Sequence, residues 1–531
     1  MSEPLQKIKL LDFYPSRGML KPGELVRLFL ECETKTAGRH TFNLEIFNGI
    51  DSLKIRTEER FLDAGLNKVD FSFTVSRTSP AGYGAEITCA DCDCTPCKRV
   101  TAFDVLNDWT MFPRYGFLCD FSASRGNEET ILQTLAKYHL NGLQFYDWQY
   151  RHDNLVPPQE DYLDPLNRPL SLAHTRRLIK STHSHGMAAM PYLAIYAASA
   201  DFWKSHPEWA LYDAEHHLIP FGENFLGIMN PAAGGPWQAH LLGECQKVMT
   251  QLPFDGLHID QYGDPKTGFD AIGREVDLPQ SFVDFIEAAA GQHPGKPVLF
   301  NAVGNWPIEN LAASATAFNY IEVWPPEVHY LDLVKIVRNA RKLSGEKQVV
   351  IALYMPAARE TNHLLADALI FSAGGTRIEL GESGRLLTDP YFPKHEGMSE
   401  ELAKHLRRRL DFMVRYEEWV GPLVRESQPK TLTKPAGLEA FFRKTKKGAS
   451  LSLVKLGENP ELCWNEEHGE VEAHGCFELE IGMCFPASRV WMVNPDAESH
   501  DVVPLEFEIE GGITRVRISG LQMWGVLFFE R

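Results

Sequence analysis

From about residue 110 to residue 415, short apolar runs alternate with helical stretches, a rhythm typical of repeated βα units. Eight such units in roughly 300 residues predict a central (β/α)8 TIM barrel, whose chemistry lies at the C-terminal ends of its strands. The predicted strands are GFLCDF (116–121), GLQFYD (142–147), AAMPYLAIY (188–196), GLHIDQ (256–261), PVLFNAVG (297–304), NYIEVW (319–324), VVIALYM (349–355) and TRIEL (376–380).

Helical stretches fit between most of these strands, for example at 127–140, 171–186 and 279–291, and the largest insertion lies at 197–236. The charged stretch 399–419 is predicted to be a helix beside the barrel. Its three consecutive arginines are expected on a solvated face. They are Arg407, Arg408 and Arg409.

The two ends of the chain have a different pattern, in which apolar and polar residues alternate in short runs separated by turn residues. We therefore predict a multidomain protein. An immunoglobulin-like β-sandwich occupies residues 1–106, the barrel occupies 107–419, and a second antiparallel β-sandwich occupies 420–531.

The formal net charge of −18 disfavours nucleic acid and anionic membranes as partners, since both attract basic surfaces. A neutral glucan or oligosaccharide is compatible with this charge. No apolar run reaches 18 residues, so no membrane span is predicted. The first residues contain no apolar signal core, which predicts a cytoplasmic protein, or a secreted one if a signal was removed. The oligomeric state stays open.

Two acidic residues each end an apolar, strand-like run. Asp260 lies in LPFDGLHIDQYGD (252–264), and Glu322 lies in AFNYIEVWPP (317–326). A pair of carboxylates is the minimum equipment for hydrolysis of a glycosidic bond. Strand alternation places His258 on the same face as Asp260, and Tyr320 on the same face as Glu322. An acid at a barrel mouth can also be structural. Asp120 in the first predicted strand and Glu379 at the end of the eighth are alternative acids, and Glu379 and Glu382 can instead bind sugar or hold the barrel closed.

Several motifs in the same order make the chain resemble glycoside hydrolase family 66, the dextranases and cycloisomaltooligosaccharide glucanotransferases. They are FYPSRGMLKPGE (13–24), TAFDVLNDWTMFPRYGFL (101–118), NGLQFYDWQYRHD (141–153), FDGLHIDQYGD (254–264) and YIEVW (320–324). The resemblance implies that Asp260 is a nucleophile and Glu322 a general acid/base. Double displacement then requires carboxyls about 5–5.5 Å apart, a raised pKa at Glu322 and a lower one at Asp260.

Other polar and aromatic residues near the predicted strand ends are candidates for contact with sugar. In FYDWQYRHD (145–153), carboxylate and imidazole groups can bind vicinal hydroxyls, and a tryptophan can cover an apolar sugar face, although it can equally be a core residue. The substrate-binding candidates are Asp147, Trp148, His152, Tyr192, Asn230, His258, Gln261, Asn301 and Trp324.

Four cysteines fall within CADCDCTPC (89–97) in the N-terminal region. Zinc or an iron–sulfur cluster uses C-x2-C pairs, but usually from two separated knuckles. We favour a hairpin of free or partly oxidised thiols over a metal site, and no cofactor is expected. The residues are Cys89, Cys92, Cys94 and Cys97.

The expected function is retaining hydrolysis of α-1,6 linkages in dextran or isomalto-oligosaccharides. The alternatives are a cycloisomaltooligosaccharide glucanotransferase, a non-catalytic glucan-binding protein, and a hydrolase of another α-glycoside. The resemblance implies that the transferases carry a binding module after the seventh strand, where this chain has only PAARETN (356–362). A non-catalytic protein would be expected to lack one of the two acids. Chain length and endo or exo action stay open.

Overall fold

The N-terminal region is built from antiparallel strands. The computed structural model describes residues 8–75, 79–90, 98–223, 225–459 and 461–531. In the strand Gly38–Asn48, for example, every second side chain is buried, as expected for a strand with one face on a core. The strands of this region are β1 (Ile8–Pro15), β2 (Val26–Thr34), β3 (Gly38–Asn48), β4 (Asp51–Leu62), β5 (Gly65–Phe73), β6 (Ala81–Cys89) and β7 (Lys98–Val105).

These strands form two sheets, in the orders β1-β2-β5 and β4-β3-β6-β7. Leu28 and Phe71 from the first sheet share a buried cluster with Phe42 and Ile87 from the second. The N-terminal region therefore has a hydrophobic core of its own.

The central region alternates strands and helices, as its sequence predicts. Short 3-10 helices add Trp109–Met111, Pro207–Trp209 and Phe392–Lys394. In chain order the elements are β8 (Tyr115–Leu118), α1 (Glu128–Lys137), β9 (Gly142–Phe145), β10 (Asp161–Leu163), β11 (Pro169–Ser171), α2 (Leu172–Ser184), β12 (Ala188–Ala194), β13 (Ala197–Ser199), α3 (Ala200–Ser205), β14 (Pro220–Phe221), β15 (Leu226–Ile228), α4 (Pro236–Gln251), β16 (Leu257–Asp260), α5 (Leu278–Gln292), β17 (Val298–Val303), α6 (Ile308–Leu311), β18 (Asn319–Glu322), α7 (Tyr330–Leu343), β19 (Val349–Ala352), α8 (Glu360–Ala373), β20 (Thr376–Ile378), β21 (Leu380–Gly381), β22 (Arg385–Leu386), β23 (Glu396–Gly397), α9 (Glu400–Arg415) and α10 (Glu417–Val420).

All eight predicted strands are present, as β8, β9, β12 and β16 to β20, and they pair in parallel in chain order. Immediately after β20 the chain forms β21, which pairs with β8, so the sheet curls back on its first strand. Within the described residues this sheet has eleven strands and forms a barrel-like domain. Its parallel strands are buried on both faces, which explains their nearly continuous apolar sequences.

The insertion at 197–236 has secondary structure of its own. Strands β13, β15 and β14 form a small antiparallel sheet, and β14 and β15 make a hairpin. Phe221 of β14 and Leu226 of β15 line a cavity shared with residues that end the parallel strands, among them Asp260 and Glu322.

The C-terminal region is again antiparallel, with sheet orders β24-β26-β27-β33-β29-β30 and β25-β28-β32-β31. Leu451 and Leu527 from one sheet share a buried cluster with Leu479 and Val516 from the other. The strands are β24 (Glu426–Ser427), β25 (Thr431–Thr433), β26 (Leu438–Lys444), β27 (Gly448–Lys455), β28 (Phe477–Gly482), β29 (Arg489–Val493), β30 (Val503–Pro504), β31 (Phe507–Glu510), β32 (Ile513–Ile518) and β33 (Trp524–Glu530).

The arginines of helix α9 do not form the solvated face that the sequence suggested. Arg407 donates to Oδ1 of Asp12 in β1 at 2.5 Å. Arg409 is fully buried and binds both carboxylate oxygens of Asp496 in the C-terminal region. The prediction was wrong because α9 is covered by the flanking regions on both sides, and its positive charges pair with their acids.

No described helix is both long and apolar enough to cross a membrane. Among the described residues, no group of three or more His, Cys, Asp or Glu side chains is arranged to hold a metal ion. Cys89 is buried at the end of β6. Cys92, Cys94 and Cys97 lie outside the described residues, so the cysteine cluster stays a prediction.

Candidate active site

A cavity of about 950 Å³ opens at the C-terminal ends of the parallel strands. This is the end of such a sheet at which loops gather polar side chains. The cavity brings together most of the site residues predicted from the sequence. They are Asp147, His152, Tyr192, His258, Asp260, Gln261, Asn301, Glu322 and Trp324.

Asp260 is the last residue of β16, and its carboxylate is held by three donors. Oδ1 accepts from the backbone N–H of Gln261 at 2.9 Å and from Nδ2 of Asn301 at 2.8 Å. Oδ2 accepts from the hydroxyl of Tyr192, on the neighbouring strand β12, at 3.0 Å. These contacts fix the carboxylate plane and leave Oδ2 with fewer donors than Oδ1.

Glu322 is the last residue of β18, two strands away from Asp260 in the sheet, and it is only 7% exposed. Oε2 accepts from Nδ2 of Asn301 at 2.6 Å, and Oε1 accepts from the indole Nε1 of Trp324 at 2.6 Å. Asn301 lies on the intervening strand β17. The strand order therefore places one amide between the two acids.

The shared amide limits how far apart the two carboxyls can be. Nδ2 of Asn301 lies 2.8 Å from Oδ1 of Asp260 and 2.6 Å from Oε2 of Glu322, so these oxygens are separated by at most about 5.4 Å. Retaining glycosidases have carboxyls about 5–5.5 Å apart, while inverting enzymes need about 6.5–9.5 Å to admit water. The geometry favours the retaining arrangement.

Burial raises the pKa of both carboxyls, because the cavity wall desolvates their charged forms. At Glu322, the negative charge of Asp260 raises the pKa further. At Asp260, hydrogen bonds from Asn301, Tyr192 and Gln261 oppose the rise. The sequence led us to expect a raised pKa at Glu322 alone. The structure raises both, and Glu322 keeps its proton to the higher pH.

His258 forms part of the cavity floor. Its Nδ1 lies 3.0 Å from the hydroxyl of Tyr115, and the two rings are stacked. Burial lowers the pKa of His258 to about 3, so the ring is neutral at working pH. It adds no positive charge beneath the acids.

Asp147 lines the cavity in a left-handed backbone conformation, with φ at 57°. Arg168 reaches its Oδ2 at 3.3 Å and also binds Asp164 at 2.6 Å. Burial raises the pKa of Asp147 to about 7, against the opposing charge of Arg168. A non-glycine residue with positive φ in a ligand-sized cavity is typical of a functional position.

Two predicted sugar contacts are placed elsewhere. Trp148 is fully buried, packs against Phe254 and donates its indole N–H to the backbone oxygen of Tyr192. Asn230 lies outside the cavity lining, and its Oδ1 accepts from the backbone N–H of Ala232. Both residues support the loops around the cavity, and neither is positioned to contact a ligand within it.

The alternative acids also have structural surroundings. Glu382 accepts from the backbone N–H groups of Cys119 and Asp120 and pairs with Arg125. Glu379 is buried in an ion pair with Arg377. None of Asp120, Glu379 and Glu382 lines the cavity as far as the described residues show.

Aromatic residues line much of the cavity and were missed at the sequence level. Several end or follow the predicted strands, so the strand-end rule that found the acids could have found them. Others lie on loops after the eighth strand, where sequence carries no positional signal. They are Tyr146, Tyr196, Tyr262, Tyr354, Tyr391 and Phe392.

Comparison with known proteins identifies the family. The family model of glycosyl hydrolase family 66 matches residues 16–528. The chain belongs to this family. A cycloisomaltooligosaccharide glucanotransferase of Niallia circulans is 28% identical over 375 residues, covering 64% of this chain and 38% of the relative. A dextranase of Streptococcus salivarius is 23% identical over 441 residues, covering 69% of this chain and 52% of the relative.

The chain thus spans about half or less of the length of these curated family 66 relatives. A solved structure has the same fold over 98% of this chain and 100% of its own, with a TM-score of 0.89 and 20% sequence identity. It is a Paenibacillus sp. cycloisomaltooligosaccharide glucanotransferase complexed with cycloisomaltoheptaose.

Proposed function

We propose that this protein is a retaining glycoside hydrolase that cleaves α-1,6-glucosidic linkages of dextran or isomalto-oligosaccharides. The observation that carries the proposal is the amide of Asn301, which joins the carboxylates of Asp260 and Glu322 at a retaining separation. Family membership supports the reaction class, and the names of the dextranase and glucanotransferase relatives support an α-1,6-glucan as substrate.

In the proposed reaction, Oδ2 of Asp260 attacks the anomeric carbon, because it has fewer hydrogen-bond donors than Oδ1. Glu322 gives its proton to the departing glycosidic oxygen as the C–O bond breaks. Water then attacks the glucosyl-enzyme while Glu322 takes up a proton, and Asp260 leaves. Two displacements restore the α configuration.

We further propose that the curled sheet is a complete (β/α)8 barrel spanning 107–419. The flanking regions, 1–106 and 420–531, are proposed to be an immunoglobulin-like β-sandwich and a second antiparallel β-sandwich. Support comes from the parallel pairing of β8, β9, β12 and β16 to β20 and from the separate buried clusters of the two flanking regions.

The proposal favours water over sugar as the acceptor. Strand β19 ends at Ala352 and helix α8 begins at Glu360, so only a short loop connects them. The described residues 353–359 between them leave no place for a binding module that could hold the free end of a long chain beside the glucosyl-enzyme. A protein that only binds glucan is disfavoured, because both acids are present and share a donor.

Product analysis on dextran tests the proposal. We expect linear isomalto-oligosaccharides as the dominant products, and complete loss of product with Asp260→Ala. Mass spectrometry separates the outcomes, since each cyclic product is one water lighter than its linear counterpart. A dominant dehydrated series would establish the glucanotransferase instead. Wild-type turnover in Asp260→Ala would remove the nucleophile assignment.

A further inference from the structure

A smaller cavity of about 160 Å³ adjoins the active-site cavity. Its described lining residues are Arg151, His152, Pro165, Ser199, Phe225 and Leu226. All of these except Arg151 and Ser199 also line the active-site cavity. The smaller cavity, here called the side cavity, is therefore a continuation of the active-site cleft.

Phe225 lines both cavities and lies in the hairpin of the 197–236 insertion. Its backbone N–H donates to the carbonyl of Gly222 at 2.8 Å. Gly222 and Glu223 both have positive φ, at 57° and 52°, which turns the hairpin tightly. The next residue, Leu226, pairs with Phe221 across the hairpin and is buried. The backbone of this wall is thus fixed by the small sheet.

Several large apolar side chains are exposed together at the cavity mouth. Phe225 is 40% exposed, Phe221 is 36% exposed and Leu166 is 44% exposed, and all three line the active-site cavity. Grouped exposed apolar side chains at a concave surface are typical of a binding site, whereas single ones are ordinary. Aromatic side chains are suited to the C–H face of a sugar ring.

The side cavity is lined by polar as well as apolar residues. The guanidinium of Arg151 is held in place by the backbone oxygens of Tyr150 and Leu163. Ser199 also lines the side cavity, and its backbone N–H donates to Oδ1 of Asp153 at 2.7 Å. Burial lowers the pKa of His152 to about 4, so its neutral ring can both donate and accept. This combination matches a hexopyranose, with an apolar face and a rim of hydroxyls.

We propose that the side cavity binds one further glucosyl unit of an isomalto-oligosaccharide whose adjoining units occupy the active-site cavity. This inference rests on the proposed function and extends it to chain length. Once a substrate is long enough to reach past Phe225, each molecule gains contacts that a shorter chain lacks. The side cavity therefore makes the enzyme prefer longer chains.

Titration calorimetry with isomalto-oligosaccharides of increasing length, on a Glu322→Gln background, measures this preference directly. We expect the association constant to rise about tenfold at the chain length that first places a glucosyl unit in the side cavity, because that unit adds one favourable contact surface. Phe225→Ala removes the apolar wall, and Ser199→Phe fills the cavity. Each substitution should abolish this stepwise rise in affinity. Leu53→Ala, on the exposed strand β4, is the matched control and should keep it.

The outcomes separate this inference from the proposed function. If Phe225→Ala and Ser199→Phe weaken all chain lengths by the same factor, or none, the side cavity does not bind a glucosyl unit. Binding of isomalto-oligosaccharides with the expected step, but no hydrolysis by the wild type, would overturn the proposed reaction and keep the subsite. Thermal unfolding of each variant checks that the fold is intact.

Discussion

The hydroxyl of Tyr192 donates a 3.0 Å hydrogen bond to Oδ2 of Asp260, the oxygen to which we assign the attack. This bond favours the charged form of the carboxylate and so lowers its pKa. Tyr192→Phe should therefore raise the pKa of Asp260, which must be ionised to act. We expect the acidic limb of the kcat/KM profile to move to higher pH. An acidic limb at the same pH as in the wild type would contradict this role of the Tyr192 hydrogen bond.

Asn301→Ala should affect the carboxyls of Asp260 and Glu322 at once. The amide lowers the pKa of each, so its loss should move both limbs of the kcat/KM profile to higher pH. Loss of positioning should also reduce kcat by about a hundredfold. Asn319→Ala is the control, since it removes a buried amide at the other end of β18. That variant should lose stability without a shift in pH profile. A change in KM alone for Asn301→Ala would indicate a sugar contact instead.

Trp324→Phe separates hydrogen bonding from stacking. The variant keeps an aromatic ring but loses the indole N–H that binds Oε1 of Glu322. Because this bond lowers the pKa of Glu322, its loss should move the basic limb to higher pH. Initial rates on an isomalto-oligosaccharide across pH measure the shift. A raised KM with an unmoved basic limb would assign Trp324 to substrate stacking only.

Arg409→Met should destabilise the protein by roughly 3–5 kcal/mol, because it leaves Asp496 largely buried without its partner. Burial alone would raise the pKa of Asp496, but Arg409 holds it well below the usual range. The Arg409–Asp496 pair therefore stabilises the folded protein fully above about pH 4, the ordinary pKa of an aspartate. This stabilisation declines as the pH falls below that value. Urea denaturation at neutral and acidic pH measures the difference, which should shrink in acid.

Lys404→Met, on an exposed turn of the same helix, is the control for Arg409→Met. It should change the free energy of unfolding by no more than about 0.5 kcal/mol. Equal effects of the two substitutions would show that the Arg409–Asp496 pair contributes nothing specific.

Strand periodicity was sufficient to predict the eight parallel strands and the placement of Asp260 and Glu322. Both acids end short, largely apolar strands, and that pattern is local. The same reasoning misplaced Trp148, because a tryptophan one residue beyond a strand-end aspartate looks the same whether it faces the cavity or the core. Only the packing against Phe254 decides between them.

Contacts between distant segments were not predictable from one sequence. Arg409 lies 87 residues from Asp496, and nothing local indicates that the pair is buried. The loop that brings Tyr391 and Phe392 to the cavity likewise depends on the path of the chain after the eighth strand. Local patterns therefore predicted the framework and the acids, whereas the cavity walls and the contacts of α9 required the tertiary structure.

The stereochemistry of the first product tests the proposed retaining mechanism most directly. Proton NMR of an α-1,6-glucan digest, recorded before mutarotation, reports which anomer is released. We expect the α-anomer first, because the Asn301 amide holds Oδ1 of Asp260 and Oε2 of Glu322 no more than about 5.4 Å apart, within the separation of retaining enzymes. Release of the β-anomer first would show a single displacement and contradict the assignment of Asp260 as nucleophile.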